Sequence, residues 1–139
     1  MAMMPKRVKY RKLHRGRVRG VAHRSNKVDY GEYGLQSLER GCITAQQIEA
    51  ARVAMSRSLG SAGKYWIRIF PHKPYTAKPA ETRQGKGKGD VSYWGCPIRP
   101  GQVLFEIGGV EADLAKETFR LQSAKLPLRV KMIKREVMR

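Results

Sequence analysis

Apolar residues recur along this chain with two different periods, and the periods divide it into elements. From Ile48 the positions Ile48, Ala51, Met55 and Leu59 return at steps of three and four, the spacing of one buried helix face. Thr44 stands at the capping position with Gln47 three residues on, and Ile43 precedes the cap to meet Ile48 as a hydrophobic staple. This predicts a helix over 44–59, ended by Gly60 and Gly63. A second helix is predicted over 111–125. Leu114, Ala115, Thr118, Phe119 and Gln122 form its inner side, acids stand in its first turn, and Pro127 stops it. Two-residue alternation marks strands over 28–38, 64–70, 91–98, 103–107 and 128–132. Gly41–Cys42 reads as a turn. Pro100–Gly101 reads as the turn of an antiparallel hairpin joining 91–98 to 103–107.

The predicted fold is α+β: two helices packed on one face of a mainly antiparallel sheet. The periodic pattern begins at Val28, so 28–139 is expected to be one folded domain, preceded by an extended arm over 1–27. Between the strands at 64–70 and 91–98, residues 71–90 carry Pro71, Pro74 and Pro79 and then glycines. They read as an extended connector or edge segment leading into a long protruding loop. In the strand Lys64–Phe70, Trp66, Arg68 and Phe70 share one face. The favoured reading packs both aromatics under the second helix with Arg68 at the solvent edge. The rarer one makes the three a stacking platform for bases.

Charge sharpens this picture. The 139 residues hold 29 Lys and Arg against 11 Asp and Glu, a net charge of +18, while 41% apolar content still supports a folded core. A domain so basic is drawn to nucleic acid or anionic membrane. The arm concentrates the effect. Lys6, Arg7, Lys9, Arg11, Lys12, Arg15, Arg17, Arg19, Arg24 and Lys27 are its basic residues, with no acid among 1–27. Their spacing fits neither a helical stripe nor a strand, and alone in water such a segment is extended and self-repelling. It orders on a phosphate backbone, with Tyr10, His14 and His23 available for stacking, or else serves as a solubilising tail. Too few large apolar residues fall in register to bury one side in lipid, so no membrane partner is expected.

The second concentration is the run Arg83-Gln84-Gly85-Lys86-Gly87-Lys88-Gly89. Gly85, Gly87 and Gly89 let the backbone pass close to another surface, and Arg83, Lys86 and Lys88 supply charge there. The run reads as a basic finger or, as readily, as the solvated tip of a glycine-rich hairpin. It has neither the Ser/Thr of a phosphate-binding loop after Gly-Lys nor the spacing and following helix of a dinucleotide fingerprint. Cys42, Cys96 and three histidines are scattered without metal-ligand spacing, and no nucleophile sits in a catalytic motif. Two isolated cysteines suit a reducing compartment. The residues thus point to a non-enzymatic RNA- or DNA-binding protein without metal or cofactor, and dispersed charge suits RNA shape better than one groove-reading helix.

Several segments occur together in a distinctive order: Pro5-Lys6-Arg7, Gly16-Arg17, Thr44 to Arg52, Trp66-Ile67-Arg68-Ile69-Phe70-Pro71, Lys73-Pro74, Gly85 to Gly89, Arg99-Pro100-Gly101 and Ala124-Lys125-Leu126-Pro127. The set closely resembles the bacterial-type large-subunit ribosomal protein sixteen family over nearly the whole chain. The resemblance implies a structural part of the large ribosomal subunit bound to 23S-type rRNA, neighbouring ribosomal proteins, and aminoacyl- and peptidyl-site tRNA. It also implies a place near the peptidyl transferase centre, a role in late assembly, and a loop at Arg83, Lys86 and Lys88 approaching that centre. The compartment implied is the cytoplasm, or a plastid or mitochondrion, where the family also occurs. A free RNA-binding or RNA-chaperone module with the same chemistry is the competing class.

Overall fold

A computed structural model describes residues 4–80, 85 and 87–136. In chain order the elements are β1 (Tyr33–Ser37), β2 (Gly41–Thr44), α1 (Ala45–Leu59), β3 (Lys64–Ile67), β4 (Lys73–Ala77), β5 (Asp90–Ile98), β6 (Val103–Gly108), α2 (Ala112–Ser123) and β7 (Val130–Lys134). The fold is α+β, but the strands divide between two sheets. Sheet A has the order β3-β6-β1-β7 and sheet B the order β2-β5-β4, with every pairing antiparallel.

The helices form where the pattern places them. The Thr44 hydroxyl accepts from the Gln47 N–H at 3.2 Å, and Gln47 Oε1 accepts from the Thr44 N–H at 3.0 Å, closing the capping box. Ile48, Ala51, Met55 and Leu59 are the buried stripe of α1. On α2, Ala115, Thr118, Phe119 and Gln122 are buried and Leu114 packs against the core. The helices meet each other through a Ser58–Thr118 hydroxyl pair at 2.8 Å and a Gln122 amide donating to the Ala51 carbonyl at 3.3 Å. They cover Leu35, Phe105 and Ile107 of sheet A, while Ile43, Cys96 and Ile98 of sheet B join the same core.

The expected 91–98/103–107 hairpin does not form. β6 is already paired on both sides, by β1 and β3, which leaves no free edge for β5. The turn between them is committed elsewhere: the Gly101 N–H donates to the Ser37 carbonyl at 2.8 Å, and the Val103 N–H donates to the Ser25 carbonyl at 2.7 Å. Pro100–Gly101 therefore carries the chain from one sheet to the other. Gly101, at φ 92°, takes the left-handed conformation that the turn requires. Gly41–Cys42, expected as a turn, begins β2 and pairs with Ile98 and Pro97. The first strand is shorter than the 28–38 pattern, because Val28 to Glu32 lie outside the sheet ladder. Within 71–90, Lys73–Ala77 is a strand of its own, β4, and Pro74 is tolerated there because β4 is the edge of sheet B.

Residues 22–32 close the face of sheet A opposite the helices. Their hydrogen bonds to the body begin with the Ala22 N–H donating to the Pro100 carbonyl at 2.9 Å and continue to the Glu32 N–H donating to the Ile107 carbonyl at 2.9 Å. Val28 is buried over Gly34, where any added Cβ would stand 2.7 Å from Val28 Cγ2. At the centre of this face Glu106 is fully buried. Its carboxylate accepts from the Asp29 N–H at 2.6 Å and the Tyr30 N–H at 3.3 Å, and it lies 3.4 Å from the Arg68 guanidinium. Arg68, with its side chain 11% exposed, also reaches Asp29 at 3.1 Å and donates to the Lys27 carbonyl at 2.8 Å. This corrects the reading of Trp66, Arg68 and Phe70. The helices cover the Tyr65 and Ile67 side instead; Phe70 is exposed, and Arg68 is enclosed in an ion pair rather than solvated at an edge.

Candidate nucleic-acid interface

Sheet B turns its inner side to α1 and its outer side to the arm. Along β4 and β5 the outward residues include Lys73, Tyr75 and Tyr93. The two tyrosines are direct cross-strand partners with ring centroids 5.0 Å apart and planes 7° from parallel. Lys73 Nζ lies 5.8 Å from the Tyr75 ring. Burial, followed by a hydrogen bond with the Cys42 thiol, raises the Tyr75 pKa above the usual phenol range, so the ring stays neutral.

The arm is held to this surface by its backbone carbonyls. Lys73 donates to the Arg15 carbonyl, Lys88 to the Leu13 carbonyl, and Arg40 to the Val18 carbonyl at 3.3 Å. In return Arg15 donates to the Thr76 carbonyl at 3.2 Å and Lys12 to the Lys88 carbonyl at 3.2 Å. The consequence is electrostatic. Lysines of the body spend their hydrogens on neutral acceptors, so the arm docks without cancelling any positive charge.

Between arm and sheet lies an open cleft of about 600 Å³. Its cationic and titratable walls are His14, Arg15, Arg17, His23, Arg24, Lys73 and Arg99, with no Asp or Glu among the lining residues. A polyanion entering it meets guanidinium groups suited to bidentate phosphate contact, and two imidazoles. Arg15, Arg17 and Arg24 of the arm are thus brought together there. Lys12 is placed at the finger base. Lys6, Arg7, Lys9, Arg11 and Arg19 are exposed along the arm, Lys9 Nζ lying 5.5 Å from the Tyr10 ring, and Lys27 is exposed beside the root of the arm. Lys73 and Arg99 enter the sequence reading only within the segments that carry the family resemblance and were not singled out as binding residues. Their signal was weak: one cation between prolines and one beside a Pro-Gly turn.

The finger is described in part. Arg83 and Lys86 lie outside the described residues. Gly85 and Gly87 have φ 103° and 87°, in the region that favours glycine. A Cβ on Gly89 would stand 2.4 Å from the Ala77 carbonyl oxygen, so the loop returns tightly against the end of β4. Lys88 joins the loop to the arm at Leu13 and Lys12. Arm, cleft and finger base therefore form one continuous basic surface.

Among the described residues no group of three or more His, Cys, Asp or Glu is placed to hold a metal ion, and no helix is long and apolar enough to cross a membrane. Burial pushes the Cys96 thiol up to about 11, which keeps it protonated and unreactive at neutral pH.

A family model described as ribosomal protein L16p/L10e matches residues 5–133, taking in the arm, the finger and both sheets. The large ribosomal subunit protein uL16 of Heliobacterium modesticaldum is 54% identical over 134 residues, covering 96% of this chain and 93% of that relative. With the match running through arm, cleft and finger alike, the chain belongs to the ribosomal protein L16p/L10e family.

Proposed function

We propose that this protein is a structural, non-catalytic constituent of the large ribosomal subunit in the cytoplasm, and that it binds 23S-type rRNA through the arm and the adjoining cleft. The observation that carries the reading is the joining of arm, cleft and finger base into one basic surface, with no Asp or Glu in residues 1–27 or among those lining the cleft, in a chain of a ribosomal family. In this reading Lys6 to Lys27 neutralise rRNA phosphates and hold the protein among neighbouring ribosomal proteins, with a part in late subunit assembly. The finger, Arg83 and Gly85 to Gly89, is directed toward the aminoacyl- and peptidyl-site tRNA near the peptidyl transferase centre.

The test separates anchoring from tRNA handling. Replacing Arg83, Lys86 and Lys88 together by Ala removes three charges from a glycine-rich run that carries none of the apolar pattern of the core. Large subunits carrying this variant are expected to keep normal occupancy of the protein and to show slowed tRNA accommodation or peptide-bond formation. Normal occupancy with a normal rate would reduce the finger to a solvated loop. Collapsed occupancy would move it to the rRNA anchor. Comigration of the unaltered protein with large subunits after a high-salt wash distinguishes a resident constituent from a free RNA-chaperone module, which would run at the top of the gradient.

A further inference from the structure

A second surface lies at the other end of β6. The cleft adjoins Gln102, before the strand begins. Gly108, where the strand ends, is about 20 Å further along at the usual rise per residue. There Tyr30 stacks on Trp66, with centroids 6.3 Å apart and planes 23° from parallel, and the Arg68 guanidinium carbon lies 5.4 Å from the Tyr30 ring. Tyr30 is nonetheless 62% exposed. Its ring is fixed by two neighbours while much of its surface faces solvent. Beside it is a groove of about 390 Å³ whose rim carries Lys64 and Arg135 as cations and Glu32 as the acid. Its floor is glycine, and a Cβ on Gly108 would stand 3.2 Å from the Trp66 ring. Side chains are thereby kept out of a slot beside an aromatic pair.

We propose that this slot is a second RNA contact that takes an unpaired nucleotide, its base stacked on Tyr30 and its phosphate between Lys64 and Arg135. The proposal rests on the reading of the chain as an RNA binder and adds a site to it. An open aromatic surface flanked by cations is the chemistry of single-strand binding, in which stacking accepts any base and the cations follow the backbone. The excess of two cations over one acid favours a polyanion over a neutral peptide. Arg68 is spent on Glu106 and Asp29, so the charges offered to the ligand are those of the rim.

Trp66 reports on the site directly. The chain has two tryptophans, so in full-length protein with Trp94→Phe, excited where tyrosine does not absorb, Trp66 is the sole emitter. Titration with single-stranded oligouridylate is expected to quench its emission, and a fully paired duplex RNA is expected to bind without that quench. Tyr30→Ala in the same background should weaken oligouridylate binding roughly five- to a hundredfold, as loss of one base stack does, while Tyr30→Phe should not. Lys64→Ala with Arg135→Ala touches no core residue and should reduce the quench even if Tyr30→Ala proves poorly folded. Full-affinity binding with unchanged emission would overturn the proposal, leaving the stack as a shield over Arg68 while the broader reading stands. Stronger quenching by oligoglutamate than by oligouridylate would also overturn it, in favour of an acidic protein partner. Failure of every form, unaltered protein included, to bind any RNA would remove the broader reading, and this site with it.

Discussion

Phe105 and Glu106 are neighbours in β6, both wholly buried, and they serve opposite faces of sheet A. Phe105 enters a dry core under two helices. Glu106 enters a polar interior made by residues 22–32, where its carboxylate is held by two backbone N–H groups and the Arg68 guanidinium. Burial is equal on the two sides, but its cause differs. On one side apolar area is removed from water. On the other a charge is enclosed only because its partners are enclosed with it. The first face needs helices. The second is closed by the root of the segment that also carries the arm, so the fold and the presentation of the arm depend on the same residues.

The largest expected effect is the loss of either neighbour. Phe105→Ala should cost about 3–5 kcal/mol in denaturant unfolding, through lost burial and a cavity. Glu106→Ala should cost a similar 3–5 kcal/mol by another route, since it strands Arg68 and the N–H groups of Asp29 and Tyr30 without their acceptor. The routes are separable. Glu106→Leu combined with Arg68→Met removes both charges and should recover much of the loss of Glu106→Leu alone. No second substitution of that kind rescues Phe105→Ala. Failure of the double variant to recover any stability would mean that the carboxylate matters chiefly for the backbone N–H groups of the arm root.

The buried stripes of the helices were legible in the sequence; the face of strand 64–70 that they cover and the closure of the opposite face were not. Ile48, Ala51, Met55 and Leu59 advertise their burial by period, and Thr44 with Gln47 marks where the helix starts. Arg68 reads as a solvent-edge position in its strand and Glu106 carries no signal of its own, because nothing local shows that a distant segment will cover them. The missed hairpin has the same origin. Pro100–Gly101 is a sound turn signal, but the hydrogen-bonding groups of the turn and of Val103 are taken by Ala22, Ser25 and Ser37, contacts between segments far apart in the chain. At the candidate interface the arm cations were visible as a charge run. The cleft they share with Lys73 and Arg99 was not, because it exists only once the arm lies on sheet B.

A smaller effect probes the seal between root and sheet. Val28 is 6% exposed and packs over Gly34. Val28→Ala removes two buried methyl groups, for roughly 1.5 kcal/mol at about 0.8 each. The change leaves the Glu106 hydrogen bonds in place. Its loss should therefore add to that of a helix-face variant such as Met55→Ala, while coupling with Glu106→Ala, its neighbour on the same face. Additivity in both pairings would show that the root does not close as a unit.

The smallest expected effect on stability belongs to the most highly charged segment. Backbone hydrogen bonds between the root and the body start at Ala22. Before it, the arm is held by exposed side-chain bonds such as those from Lys73, Lys88 and Arg40 to its carbonyls. Deleting residues 1–21 should then change unfolding free energy by no more than about 0.5 kcal/mol. The same deletion removes Lys6, Arg7, Lys9, Arg11, Lys12, Arg15, Arg17 and Arg19. Binding to rRNA should weaken sharply, and the log–log dependence on salt should flatten by roughly 0.7 to 0.9 for each phosphate no longer neutralised. Extending the deletion through Lys27 takes away the carbonyls that accept from Val103 and Arg68, and stability should fall measurably at that step. A stability loss already present on deletion to residue 21 would show that the distal arm is part of the folded body. No loss on deletion to residue 27 would place the boundary where the hydrophobic pattern begins, at Val28, and leave the polar face closed by Val28 to Glu32 alone.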